Sequence, residues 1–75
     1  MDTKTIANNF TYHAPNDAQI ISYEVLRSQA KGLALDIQNE CPDSREKSLA
    51  FTKLEECVMW ANAAIARNGG DADER

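Results

Sequence analysis

Residues 41–46, Cys-Pro-Asp-Ser-Arg-Glu, are the stretch on which the fold turns. Proline lacks an amide hydrogen and keeps the residue before it extended, so a helix arriving from the N-terminal side must end near Cys41-Pro42. Asp43 and Ser44 are each able to cap a new helix, and Glu46 stands three residues after Asp43, the spacing of a capping box. A second helix therefore begins at once. Upstream, Tyr23, Leu26, Ala30, Leu33 and Ile37 recur at alternating spacings of three and four, and downstream Phe51, Leu54, Val58, Ala61 and Ile65 repeat the pattern. Each set is the apolar stripe of a helix packed along another helix. Asn16 or Asp17 caps the first of these helices, with Gln19 placed to complete a capping box on Asn16, and Asn68-Gly69-Gly70 ends the second. Each helix has about 24 residues, or ~36 Å of length, and so short a connection makes them antiparallel neighbours. The expected class is all-α: an N-terminal arm over 1–15, an antiparallel helical hairpin over 16–68 and an acidic flexible tail over 69–75.

The arm lacks a helical repeat, leaves room for one short turn of helix, carries Phe10-Thr11-Tyr12-His13 and is stiffened by Pro15. In all, 75 residues, 43% hydrophobic and 27% charged, make one small domain. A core in so short a chain rarely contributes more than ~3–5 kcal/mol, so partner subunits, a metal or a disulfide usually complete it. A lone hairpin also buries only one stripe per helix. Ile21, Val25 and Leu35 fall beside the first stripe, and Cys57, Trp60 and Ala64 beside the second. Ser28, Gly32, Ala61, Ala63, Ala64 and Ala66 are small enough to admit another backbone. Self-association into a compact homo-oligomer is expected.

Several function classes are excluded by the same reading. A net charge of −4, with a sequence pI near 4.7, does not suit a protein living on the phosphates of DNA or RNA polymers. The longest apolar run, Cys57 to Ala61, is far short of the ~20 residues that span a bilayer. No basic-then-apolar leader opens the chain, so a cytoplasmic location is expected. The cysteines, Cys41 and Cys57, lie too far apart along the helix for an intrachain disulfide and read as buried or idle thiols. His13 is the only histidine, and no metal-binding, phosphate-loop or nucleophile motif occurs; neither enzyme, metal nor cofactor is expected.

Candidate binding residues remain. Arg45 and Lys47 stand in the first turn of the second long helix, where the helix dipole disfavours cations. With the free amides there they could hold an anion, unless Asp43, Glu46 and solvent neutralise them. Tyr12 and His13 offer flat faces for stacking beside Pro15, and Arg27 offers a cation for a phosphate. The alternatives are that Phe10 and Tyr12 form a lid over the seam and that Arg27 pairs with Glu24 or is simply solvated. Met59 and Trp60 read as core or interface, Asn62 as a register residue or a ligand contact, and Arg67 as a helix-end cation.

The run from Cys41 to Arg67, CPDSREKSLAFTKLEECVMWANAAIAR, resembles the phage anti-CBASS sponge family, small proteins that sequester cyclic oligonucleotides of bacterial immunity. The likeness is strongest in KLEECVMWANAAIAR and extends through YHAPNDAQI and the helix from Tyr23 to Ile37. The resemblance implies a helical hairpin that assembles into compact hexamers in the host bacterial cytoplasm. It implies binding of cyclic dinucleotides, and in some members cyclic trinucleotides, without cleavage. By the same resemblance a base stacks on Tyr12 and a phosphate meets Arg27, with His13, Pro15, Asn62 and Arg67 as further site residues. Two rival readings stand beside it: a protein-binding or purely structural helical oligomer, and, third, a cyclic-nucleotide hydrolase.

Overall fold

The computed structural model describes residues 1–68 and consists of three helices: α1, Thr3–Asn9; α2, Asp17–Glu40; and α3, Arg45–Asn68. The expected Gly69-Gly70 stop and the acidic tail lie outside the described residues. Helices α2 and α3 have 24 residues each and form the hairpin, with residues 41–44 as the turn. No strand occurs among the described residues.

The start of α2 follows the sequence closely. Asn16 Oδ1 accepts from the Gln19 amide at 2.8 Å, and Gln19 Oε1 accepts from the Asn16 amide at 3.0 Å, a complete capping box. The start of α3 differs from expectation. Ser44, not Asp43, is the cap, its Oγ accepting from the Lys47 amide at 3.1 Å, so the expected pairing of Asp43 with Glu46 does not form. Asp43 is instead drawn to the Lys47 ammonium at 3.0 Å.

The arm is also more structured than its sequence suggested. Asp2 caps α1, its Oδ1 accepting from the Thr5 amide at 2.7 Å. That bond holds the Asp2 carboxyl below its ordinary range. A depressed carboxylate pKa means that the cap is complete at neutral pH and is lost only as acid titrates the folded form.

Between α2 and α3 the apolar seam is only half-buried: among the described residues no hydrophobic side chain is buried. Tyr23, Leu26, Ala30 and Ile37 face Phe51, Leu54, Val58, Ala61 and Ile65 as the spacing predicts, but Ala34 takes the place expected for Leu33, which is 50% exposed. The slip follows from helix geometry, since 3.6 residues per turn drifts off a strict alternation of three and four. Trp60 and Met59 are exposed in the single chain, at 63% and 62%, and so are not part of its core. Cys41 and Cys57 are free and exposed, which corrects the buried reading of these thiols.

The only buried side chains among the described residues are polar, Gln19 at 7% and Lys47 at 8% exposure. Both cap the far end of the opposite helix. The last four carbonyls of a helix lack amide partners, and α2 carries no basic residue in its last turn. Lys47 reaches across from α3 and donates from Nζ to the Gln38 carbonyl at 3.1 Å as well as to Asp43. At the other end Gln19 donates from Nε2 to the Ile65 carbonyl at 3.0 Å. Replacing Lys47 with Met keeps the stem but leaves Gln38 O without its donor. A charge-assisted bond of this kind contributes ~1.5–3 kcal/mol, so urea denaturation of Lys47→Met should show a loss of about that size, and an unchanged midpoint would contradict the clamp.

Candidate functional site

The arm and the open end of the hairpin enclose a groove of about 480 Å³. The Tyr23 and Arg27 side chains, one helical turn apart on α2, form one wall. On α3, Asn62 and Ala66 lie one turn apart, as do Ala63 and Arg67, and these pairs supply the opposite wall. Residues Thr11, Tyr12 and His13 close the groove from the arm. Ala63 and Ala66 matter by their size, since larger side chains at these positions would fill the floor.

The groove is cationic with flat walls. Among the described residues neither Arg27 nor Arg67 takes part in an ion pair, so of the two alternatives for Arg27 the pairing with Glu24 does not occur. Tyr12 is 84% exposed, so its ring is not spent on covering the seam. The carboxamide oxygen of Asn62 is buried and accepts no hydrogen bond among the described residues. A buried acceptor without a donor costs on the order of 1–3 kcal/mol, so Asn62 is a polar group with unused capacity at the groove.

Three hydrogen bonds place the arm. Asn8 donates from Nδ2 to the Arg67 carbonyl at 3.1 Å, tying α1 to the last turn of α3. His13 lies 2.8 Å from the Asn8 carbonyl through Nε2. A carbonyl only accepts, so Nε2 carries the proton and donates. Thr11 donates from its hydroxyl to the Ala7 carbonyl, folding the chain back over the end of α1. A second, more polar groove lies on the other side of Arg67, between it and Lys4, Thr5, Asn8 and Asn9 of the arm.

The structure thus brings Tyr12, His13, Arg27, Asn62 and Arg67 to one groove. Pro15 stands outside its lining. Arg45 and Lys47 sit at the turn, the far end of the hairpin, some 13 helical residues and ~20 Å beyond Arg27. The Lys47 ammonium is taken up by Gln38 and Asp43 and does not face a ligand site. Sequence reasoning missed Asn8, because α1 has no apolar repeat to reveal it. Tyr23 was placed in the seam, although its spacing of four from Arg27 already set both on one face.

Among the described residues no group of His, Cys, Asp and Glu side chains is arranged to hold a metal ion, and no helix is long and apolar enough to cross a membrane. A family model described as Acb2/Tad1, hairpin domain, matches residues 1–66. Comparison with curated proteins and with solved structures returns no match.

Proposed function

The chain belongs to the Acb2/Tad1 hairpin-domain family, and from that premise we propose that it sequesters cyclic dinucleotides, and cyclic trinucleotides as larger ligands, without cleaving them. The observation that carries this reading is the convergence on one groove of an exposed aromatic ring and two arginines that make no ion pair among the described residues. Those are the groups a cyclic dinucleotide needs: a flat face for a base, and cations for phosphates that stay charged at every physiological pH. Tyr12 stacks on a base, Arg27 meets a phosphate and Arg67 serves as a second cation between the two grooves. The Asn62 carboxamide oxygen takes a donor from a base edge or from a neighbouring subunit.

The groove in one chain is open, and assembly completes it. Support comes from the half-buried seam and from the exposed Ile21, Val25, Leu35 and Trp60. Gly32 adds to it, because a Cβ there would meet nothing within 4 Å, so the single chain has no need of glycine in mid-helix. A compact homo-oligomer, the hexamer that the resemblance implies, covers these faces with further copies. The function is then mass action in the host cytoplasm: free messenger falls when sites outnumber it and the dissociation constant lies below the activating concentration. As a phage protein it would blunt CBASS defence in this way, with no bond made or broken.

A ligand that prefers the folded state raises its melting temperature. Cyclic purine dinucleotides should therefore raise Tm, their linear counterparts should not, and the ligand should be recovered intact after denaturing the protein. No shift across a panel of cyclic di- and trinucleotides would favour a protein-binding or structural oligomer, and recovery of linear product would indicate a hydrolase.

Two substitutions address the groove itself. Tyr12→Ala and Arg27→Glu should each weaken binding of a cyclic purine dinucleotide about tenfold or more in calorimetry, the scale of one lost stack or one charge-assisted contact. Unchanged affinity in both would remove these residues from the site. For the assembly, Ile21→Asp places a charge on the uncovered face of α2, and sedimentation velocity should show a smaller species than the unaltered chain. An unchanged sedimentation coefficient would place the interface elsewhere.

A further inference from the structure

Besides the Thr11 hydroxyl bond to the Ala7 carbonyl, the strap that carries Tyr12 is held by two bonds that meet at a single residue. Asn8 donates its side-chain amide to the Arg67 carbonyl on α3, and its own carbonyl receives the Nε2–H of His13. Arg67, Asn8 and His13 are thereby joined in series, from the end of the hairpin through α1 to the residue beside Tyr12. Tyr12 itself makes no hydrogen bond among the described residues and is 84% exposed. Its position is therefore set by its neighbours and not by packing of its own ring. On the other side of the strap, Pro15 limits the backbone and Asn16 is fixed in the capping box of α2.

We infer that His13 is a positioning residue, which holds the Tyr12 ring over the groove through the Asn8 carbonyl and does not itself bind the ligand. The inference rests on the reading of the groove as a cyclic-nucleotide site. Its physical content is preorganisation: a strap free to leave the groove lowers apparent affinity by the fraction of time it is away. One neutral hydrogen bond holding the strap makes that effect about fivefold. Rings at position 13 are not equivalent for this purpose. Phe keeps the bulk and removes the donor, whereas Gln places an amide N–H at a reach similar to Nε2.

The test is a double-mutant cycle read by calorimetry with cyclic di-AMP, together with amide hydrogen exchange of the ligand-free protein. His13→Phe should weaken binding about fivefold and speed exchange at Phe10, whose amide closes α1 on the Ile6 carbonyl. His13→Gln should restore most of both. In a Tyr12→Ala background His13→Phe should have no further effect on affinity, because the residue acts only through the tyrosine. Equal losses in both backgrounds would show that the imidazole contacts the ligand directly, and unchanged affinity in His13→Phe would show that the clamp is not used; either overturns the inference. A wild-type chain that binds no cyclic dinucleotide would instead overturn the reading of the groove, with exchange at Phe10 still reporting whether the clamp exists.

Discussion

Two buried polar side chains, Gln19 and Lys47, fix the hairpin on which everything else is arranged. Each crosses to the opposite helix and donates to a carbonyl of its last turn, the part of a helix where carbonyls run short of amide partners. The two clamps stand at opposite ends of a pair of 24-residue helices, and the seam between them is only half-buried. In a larger domain the burial of apolar surface would set the relative position of the helices. Here the ends are specified by hydrogen bonds, and the flanks are left apolar and open. The low contribution expected from so small a core and the exposed aliphatic stripes are two views of one constraint.

That constraint also separates the two ends of the hairpin. The turn end is closed on itself: Ser44 caps α3, Asp43 neutralises Lys47, and the Lys47 ammonium also donates to the Gln38 carbonyl. At the open end Gln19 clamps α3 through the Ile65 carbonyl, and the arm folds onto it through Asn8. Residues from three elements meet there, with two arginines that no carboxylate engages among the described residues. An anion with flat rings fits this chemistry better than an acidic peptide does, since a peptide would leave the exposed tyrosine face without a purpose. The overall negative charge and the local positive groove are compatible because Arg27 and Arg67 converge on the groove, where no carboxylate stands in the lining.

Much of this was legible in the residues. The capping box of Asn16 and Gln19, the two apolar stripes and the break at Cys41-Pro42 specify the hairpin almost to the residue. Local rules failed where tertiary contacts chose between equivalent options. Asp43 and Ser44 are equally good caps in isolation, and the choice fell to Ser44 because Lys47 claims the carboxylate. Leu33 and Ala34 are consecutive in sequence and stand on opposite sides of the seam line, and the drift of the helix decided between them. Helix α1 is too short and too polar to show a period, so Asn8 and the fastening of the arm were not visible. At the site, Tyr12, His13, Arg27, Asn62 and Arg67 share a groove in the folded chain, while Arg45 and Lys47 showed the correct oddity, cations at a helix start, for a structural reason: Lys47 serves the preceding helix and not a ligand.

The most direct test of the central claim is the stoichiometry of a calorimetric titration with a cyclic purine dinucleotide at physiological salt. An open groove completed by further copies of the chain predicts saturable heat at a fixed fraction of one ligand per chain. The absence of heat across cyclic di- and trinucleotides, from protein that sediments as a folded assembly, would contradict it.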